Sequence, residues 1–404
     1  MLSSFKLGIL TLINNALKGE QNLLPEDFDY SKLYKFSVRQ QIMPLIYYGG
    51  STNPVFVAND IDGKLRSSTI YAAVVSEHQT LEVNKVCGFF DENGIDYMRL
   101  KGFGIKKLYP REEMRIMGDA DILIRENQMP MIEQLMVDLG YTHVLTSDHE
   151  WTWVKGSVKI ELHKRLVPTY SKDFYSYFGD GWFLANKKEE NRCEYYMKAE
   201  DEFVYLFTHF AKHYRYSGIG IKHTVDLYMF MKTYKDLDYK YMRSSFKSLG
   251  LLKFYDNICK MLDVWFNGAE CDELSEFLTN KIFANGAYGT LTATLKSEAV
   301  VLAKGTNAKG AKRKKMIRLI FPTYENMCPT YSWIKGKPWL LPLAWIYRFI
   351  VVLLFKRDKI KAYKKDMKVI SKENIDAYQA ELNFVGLDFN YEASEDLHLR
   401  IPIL

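Results

Sequence analysis

The stretch Met98–Arg125 reads MRLKGFGIKKLYPREEMRIMGDADILIR and places two carboxylates, Asp119 and Asp121, at the start of an apolar run. Successive side chains of a β-strand point to opposite faces, so these two carboxylates share one face of a sheet. Adjacent carboxylates repel each other, and cations between them relieve that repulsion. The stretch therefore predicts a divalent-metal site of the kind that serves phosphoryl or nucleotidyl transfer.

A third carboxylate is needed, because two metal ions roughly 3.5–4 Å apart share a bridging ligand. The segment SVKIELH at residues 157–163 alternates apolar and polar side chains and carries Glu161, forty residues after Asp121. We expect this segment to be an antiparallel strand beside the Asp119/Asp121 strand. Glu161 is then the third metal ligand, and a solvent-facing strand residue is the alternative.

Residues upstream of the carboxylate pair offer contacts to phosphate. Gly102 follows a short predicted strand, so backbone N–H groups there can approach a phosphate, and Lys101 adds a positive charge. An ordinary strand-to-helix turn is the alternative. Arg115, four residues before Asp119, is expected to reach a triphosphate unless it is a surface arginine. Walker A, GxGxxG and HExxH sequences are absent, which excludes P-loop, dinucleotide-binding and HExxH zinc sites.

A second polar cluster lies in a predicted helical region. His209 and His213 are separated by one helical turn and share a helix face with Lys212 nearby, where they can meet phosphates or a base. Packed, hydrogen-bonded histidines are the alternative. Lys222 and Asp226 belong to the first turns of the next helix, whose positive N-terminal end favours anions.

The chain has 404 residues, 48% hydrophobic and 26% charged, which suits two or three globular domains. Five cysteines without CxxC spacing, and no apparent signal peptide, indicate a cytoplasmic protein with reduced thiols. Periodicity predicts an α+β fold. Its divisions are a helical region at residues 1–85, a mixed-sheet core at 86–195, a helical domain closing the nucleotide cleft at 196–300, and a basic linker with a helical, apolar extension at 301–404.

The C-terminal quarter carries two unusual segments. Lys304–Arg318 contains seven basic residues and no acid, and we expect a solvated linker, with contact to an anionic surface as the alternative. Trp339–Phe355 reads WLLPLAWIYRFIVVLLF with Arg348 as its only charge, and it is short of the about 20 residues of a membrane span. We expect it to pack in a core. The alternative is peripheral membrane or partner contact, which Lys356 and Arg357 would suit.

The order of these motifs resembles a known family. The chain resembles the uncharacterised bacterial nucleotidyltransferases of the DNA polymerase β-like superfamily. The motifs that carry the resemblance are, in order, LKG, RxMGDxD before apolar residues, IELH, HFxKH and a later KxxxD helix. The resemblance covers roughly Tyr30–Lys281. It implies a nucleotidyltransferase-like mixed sheet flanked by an N-terminal helical region and a C-terminal helical domain. Members are often encoded among capsule and exopolysaccharide genes, which implies a role in polysaccharide biosynthesis.

The resemblance also implies roles for residues. Asp119, Asp121 and Glu161 match the carboxylates that hold two Mg²⁺ ions, with Mn²⁺ as an alternative metal. Lys101 and Gly102 match the glycine loop that holds the nucleotide phosphates. The other matching polar positions are Arg115, His209, Lys212, His213, Lys222 and Asp226, expected to bind the nucleotide, and His163, expected to support the metal ligands.

One residue departs from the pattern of the wider superfamily. Phe103 follows Gly102, where Ser or Gly is usual, so a serine hydroxyl contact to phosphate is not expected and Lys101 is expected to replace it. The gap of seventeen residues between Gly102 and Asp119 is also long for that superfamily, although it is normal for this family.

The implied activity is Mg²⁺-dependent transfer of a nucleoside monophosphate from an NTP such as ATP to an acceptor hydroxyl on a small molecule, sugar or macromolecule. Two alternatives remain. One is a toxin-like nucleotidyltransferase acting on tRNA or protein, supported by the basic run, although a nucleic-acid partner is not favoured. The other is a catalytically idle binding module of a polysaccharide-assembly system that docks through Trp339–Phe355.

Overall fold

The computed structural model describes residues 2–58, 61–188, 193–328, 330–355, 363 and 366–387 of the chain. Within these residues the fold is α+β, as the sequence predicts, with one seven-stranded mixed sheet. The strands are β1 (Tyr97–Leu100), β2 (Ala120–Ile124), β3 (Thr142–Thr146), β4 (Glu150–Lys155), β5 (Val158–His163), β6 (Asn186–Lys187) and β7 (Glu194–Tyr196).

Helices precede and follow the sheet, and short 3-10 turns connect some of them. The helices that precede the last strand, β7, along the chain are α1 (Ser4–Lys18), α2 (Leu33–Gln40), α3 (Met43–Gly50), α4 (Pro54–Ala58), α5 (Ile61–Glu92), α6 (Gly102–Ile105), α7 (Met129–Asp138) and α8 (Lys172–Phe178). Those after it are α9 (Ala199–Tyr216), α10 (Ile221–Thr233), α11 (Tyr239–Ser248), α12 (Leu252–Phe266), α13 (Glu273–Ala284), α14 (Leu291–Ala303), α15 (Ala308–Ile320), α16 (Tyr324–Met327), α17 (Leu341–Phe355) and α18 (Lys372–Val385).

The strand order is β3-β4-β5-β2-β1-β7-β6, which places the strands of the two acidic motifs side by side. β2 pairs with β5 in parallel, with Asp121 opposite Glu161. The antiparallel pairing expected for these two strands is therefore wrong, although their adjacency is confirmed. The chain between them forms α7 and the β3–β4 hairpin, and this crossover returns β5 to the sheet in the direction of β2.

The two faces of the sheet have different neighbours. Ile122, Ile160 and Leu162 are fully buried on the face that packs in one apolar cluster with residues of α5 and α7. Asp121 and Glu161 alternate with these residues, so they point to the opposite face. This alternation fixes which side of the sheet carries the polar site.

A second apolar cluster covers the polar side of the sheet. It joins residues of α1, β1, the helices α9–α14 and α18. Hydrogen bonds tie the N-terminal helices to this helical region: Asn14 Nδ2 donates to Trp265 O at 2.8 Å, and Gln40 Nε2 donates to Asn285 O at 2.7 Å. The helices that precede the sheet along the chain therefore share a core with those that follow it. The predicted domain boundaries stay predictions.

The basic run at residues 304–318 differs from the expected linker. Most of it lies in α15, and Lys315 is buried with its Nζ 2.7 Å from Glu298 Oε2. Lys309, Arg313 and Lys314 are exposed on the outer side of this helix, whose inner side packs in the core at Ala311. A helix rather than a flexible segment thus presents these charges.

The apolar segment at residues 339–355 forms α17 with a preceding 3-10 turn. Core packing is confirmed on one side only, where Ala344 is fully buried with Met327 and Ile334. The opposite side is exposed, including Ile346 with 59% of its surface accessible. Among the described residues, no helix has the length and apolarity to cross a membrane. Lys356 and Arg357 lie outside the described residues.

Candidate active site

Four carboxylates converge on the polar face of the sheet. Asp119 precedes β2 by one residue, Asp121 lies within β2, and Glu161 is its register partner on β5. Glu150 on β4 joins them, because it is paired with His163, two residues along β5 from Glu161. Asp121, Glu150 and Glu161 are buried. The strand pairing thus brings together carboxylates that are up to forty-two residues apart in the sequence.

Two lysines neutralise part of this negative charge, and a histidine is hydrogen-bonded within the cluster. Lys101 Nζ lies 3.2 Å from Asp121 Oδ1, and His163 Nε2 lies 2.7 Å from the same oxygen. Lys159 bridges two other carboxylates, with its Nζ 3.3 Å from Asp119 Oδ2 and 2.5 Å from Glu161 Oε1. Each sequence-predicted metal ligand therefore has a basic partner in the structure.

The pKa values reflect these surroundings. Burial raises the pKa of Glu161, and the neighbouring carboxylates Glu150, Asp121 and Asp119 raise it further. Burial would also raise the pKa of Asp121, but Lys101 and His163 hold it below its ordinary value. The charges of this cluster are consequently coupled, and an additional cation beside Glu161 would favour its ionised form.

The loop after β1 is held in an unusual conformation. Lys101 has a φ of 45°, a backbone region that residues with a side chain rarely adopt. At Gly102 an added Cβ would lie 2.6 Å from Arg115 Nη1 and 3.2 Å from Met117 Sδ, so the guanidinium packs directly on the loop. Phe103 is buried in the apolar cluster on the other side of the sheet and anchors the loop there.

Arg115 is buried rather than at the surface. Its Nε and Nη2 donate to Asp226 Oδ1 and Oδ2 at 3.2 and 2.9 Å, a two-point ion pair between the loop before β2 and helix α10. Tyr109 Oη donates to the same carboxylate at 2.8 Å. Asp226 is fully buried, and Arg115 and His223 hold its pKa low against the effect of burial. This pair fixes α10 against the loop that contains Gly102.

Lys222 occupies a separate buried position at the start of α10. Its Nζ donates to Gln41 Oε1 at 2.8 Å and to Tyr288 Oη at 2.9 Å. Burial and the positive charge of Arg115 lower the pKa of Lys222 to about 7. Tyr288, which is partly exposed, also approaches the acidic motif, since its Oη lies 3.0 Å from the position of a Cβ at Gly118.

The histidines of α9 and α10 form a row between these groups. His213 Nε2 lies 3.1 Å from His209 Nε2, and the His213 and His223 rings stack with centroids 6.4 Å apart. Burial, with the nearby charge of Lys101, lowers the pKa of His209 well below its ordinary value. Lys212 lies on the same helix and is partly buried. The predicted sharing of a face by His209 and His213 is confirmed, and their nucleotide contact stays a prediction.

The donor atoms of the cluster suit a divalent cation. Asp121, Glu161 and His163 each offer a ligand atom within 4.8 Å of the others, and all three are buried. His149 and Glu150 form a second such group with His163. His163 Nδ1 is buried and has no hydrogen-bond partner among the described atoms. Mixed carboxylate and imidazole ligands of this type fit Mg²⁺ less closely than Mn²⁺.

Several residues of this site were missed by the sequence analysis. Lys159 shares the polar face of β5 with Glu161, and alternation along that strand is the signal that could have identified it. Glu150 can be assigned to the site only from the antiparallel pairing of β4 and β5, which places it opposite His163. Tyr288 and Gln41 come from distant loops and have no local sequence signal.

A comparison with known protein families gives a match. A family model described as an uncharacterised nucleotidyltransferase matches residues 26–267, which is more than half of the chain. The matched range includes β1–β7 and helix α10, which carries Lys222 and Asp226. No curated protein matches the chain.

Proposed function

The chain belongs to this uncharacterised nucleotidyltransferase family, and we propose that it transfers a nucleoside monophosphate from an NTP to an acceptor hydroxyl with the help of a divalent metal. Family membership supports nucleotidyl transfer itself. The observation that carries the metal dependence is the pairing of Asp121 with Glu161 across two strands, with His163 at 2.7 Å from Asp121.

In this proposal Asp119, Asp121 and Glu161 hold the metal, either two Mg²⁺ ions or Mn²⁺. When bound, the metal lowers the pKa of the acceptor hydroxyl and stabilises charge on the α-phosphate. His163 orients Asp121 through its hydrogen bond. Lys159 lies between Asp119 and Glu161 and must move aside for an ion that uses both.

The remaining predicted nucleotide-binding residues divide by their contacts. Lys101, beside Asp121, and Lys212 on α9 would steady the triphosphate and the departing pyrophosphate. Arg115 is occupied by Asp226, so its proposed role is to hold the Gly102 loop in position for the phosphates. This work is positioning and electrostatic stabilisation, which requires no protein nucleophile.

The partners of His209, His213 and Lys222 suggest where the base and sugar would bind. These residues line the side of α9 and α10 near Tyr288, whose ring His223 contacts edge-on at 5.5 Å. An aromatic ring and neutral imidazoles suit a nucleobase, which binds by stacking and hydrogen bonds. The acceptor, and the role in polysaccharide biosynthesis that the sequence resemblance implies, stay predictions.

A catalytically idle binding module is the second candidate. It is favoured by one observation: Lys101 is paired with Asp121, and Lys159 is paired with Asp119 and Glu161, so the protein's own cations neutralise the proposed metal ligands. In an idle module these ion pairs are permanent, and Mg²⁺ or Mn²⁺ does not displace the lysines. The two candidates therefore differ in metal binding as well as in turnover.

The test combines turnover with ligand-dependent stability. The double variant Asp119→Asn Asp121→Asn should lose metal-dependent NTP turnover, whereas Asp138→Asn, an exposed carboxylate on α7, should retain it. A thermal-shift panel of the four NTPs with and without Mg²⁺ or Mn²⁺ then identifies the metal and base, because a ligand of the native state raises its stability. Unchanged turnover in the double variant contradicts the proposal. No metal-dependent shift with any NTP favours the idle module.

A further inference from the structure

The exposed side of α17 is an apolar surface. Its accessible side chains follow the i, i+3, i+4, i+7 spacing of one helix face, and the 3-10 turn before it adds Trp339 with 70% of its surface exposed. The residues on this face are Leu343, Ile346, Tyr347 and Ile350, with Phe349 beside them.

Helix α15 continues this surface and adds positive charge. One face of α15 carries cations in its first half and exposed apolar side chains in its second half. The cations are Lys309 and Arg313, which are exposed, and Lys312, which is partly exposed. The apolar residues are Met316, Ile317 and Ile320, followed by Phe321. Lys314 is also exposed. The charged and apolar parts of the surface therefore adjoin along a single helix.

Specific contacts hold the two helices together at their apolar ends. Arg348 Nη1 donates to Leu319 O at 2.8 Å, and Trp345 Nε1 donates to Pro322 O at 2.8 Å. Arg348, the only charge in α17, is thus bound to a carbonyl of the last turn of α15, where a cation is favoured. The exposed face of α17 consequently contains no charged residue of its own.

We propose that the α15–α17 surface, defined by the exposed residues named above, docks on an anionic lipid membrane surface with α17 lying in the plane of the membrane. Apolar side chains would enter the interface while the cations of α15 contact lipid headgroups. Exposed tryptophan and tyrosine residues are favoured at this depth. The inference is independent of the transfer reaction, because it rests on residues outside the sheet and the acidic cluster.

The charge pattern favours this partner over others. Between residues 299 and 355 the sequence has a single acid, Glu325. A symmetric dimer through this surface would place the cations of two copies close together without carboxylates to pair with them. A nucleic acid would use the cations of α15 but would leave the larger apolar face of α17 exposed to water.

Vesicle co-sedimentation of the full chain tests the proposal. The probes are vesicles of phosphatidylcholine alone and vesicles that also contain phosphatidylglycerol. We expect binding to the second only, weakened by salt. Leu343→Ser Ile346→Ser should lower vesicle affinity at least about tenfold. Replacing Lys312, Arg313 and Lys314 with Gln should lower it about a hundredfold.

A matched control uses exposed apolar residues elsewhere. Ile70→Ser Val74→Ser on α5 replaces side chains with 57% and 63% of their surface exposed, and it should leave vesicle affinity unchanged. Circular dichroism confirms that each variant is folded. The proposal is overturned if the control variant weakens vesicle binding as much as the α17 variant does. It is also overturned if the chain binds phosphatidylcholine vesicles as tightly as those with phosphatidylglycerol, or if it binds neither type of vesicle. Self-association or RNA binding that is lost in the α15 and α17 variants, without vesicle binding, assigns the surface to those partners instead.

Discussion

Lys159 forms an ion pair with Glu161, two positions further along the same strand, with its Nζ 2.5 Å from Oε1. Both side chains lie on the polar face of β5, and the lysine extends further to Asp119. The ammonium group therefore occupies the space between two proposed metal ligands. A metal ion that binds both carboxylates therefore competes with the ammonium group of Lys159.

This competition predicts the effect of removing the lysine charge. Lys159→Met should raise the affinity for Mn²⁺ about five- to tenfold, since a partly exposed ion pair of this kind contributes about 1 kcal/mol. Isothermal titration calorimetry on the protein without nucleotide measures it. Lys155→Met on β4 is the control, because Lys155 is paired with Glu82 outside the cluster. Equal Mn²⁺ affinity in both variants and the parent chain contradicts the prediction.

The buried pair of Arg115 and Asp226 predicts a large loss of stability in a single variant. Arg115→Met leaves the fully buried Asp226 carboxylate without its main cation, and it should lower the free energy of unfolding by about 3–5 kcal/mol. The double variant Arg115→Met Asp226→Leu should recover part of this loss, because no buried charge remains. Urea unfolding of the parent chain, Arg115→Met, Asp226→Leu and the double variant measures both effects. A double variant that is as unstable as the sum of two single variants would show that the residues act independently.

A side chain added at Gly102 should disturb the ion pair of Arg115 and Asp226 sterically. In Gly102→Ala the new Cβ lies 2.6 Å from Arg115 Nη1, so the guanidinium must shift, and its two-point pair with Asp226 is disturbed. We expect a loss of about 1–3 kcal/mol in the free energy of unfolding, the usual result of overpacking. Gly63→Ala on α5 is the control, since nothing lies within 4 Å of its added Cβ, and it should not destabilise the protein. Similar stability of both variants would mean that the loop adapts without disturbing the ion pair.

The sequence predicts the local elements of the site well because their signals are local. A strand runs from Ala120 to Ile124, at the position where alternating carboxylates followed by an apolar run predict one. Helical periodicity continues through residues 239–267, where the structure has two helices, α11 and α12. Gly250 has a φ of 67° and ends the first of them, a glycine signal that the helical periodicity concealed.

The tertiary arrangement of the site lacks a comparable local signal. The direction of β5 relative to β2 depends on the crossover between them, which strand alternation does not encode. Arg115 reads equally well as a surface residue until α10 brings Asp226 to it. Tyr288 enters from a loop sixty-six residues after Lys222, so only the folded chain reveals their hydrogen bond.

The histidine row predicts how stability depends on pH. Burial lowers the pKa of His223 from 6.5 to about 4, so the folded protein keeps this imidazole neutral while the unfolded chain protonates it below 6.5. Between these pH values the unfolded state binds more protons, and stability therefore rises with pH and is lost as the pH falls from 6.5 toward 4. The full effect of this one group is about 3 kcal/mol, from about 1.4 kcal/mol for each pH unit.

His223→Gln removes the titrating group and keeps a hydrogen-bond donor near Asp226. The slope of the free energy of unfolding against pH, measured by urea titrations between pH 4 and pH 6.5, should fall in this variant by the contribution of one histidine. His78→Gln replaces an exposed histidine of α5 and should leave that slope unchanged. If His223→Gln and the parent chain lose stability in parallel as the pH falls, the imidazole is not held neutral in the folded protein. His223 would then carry positive charge beside Lys222 and could not belong to the neutral face proposed for the nucleobase.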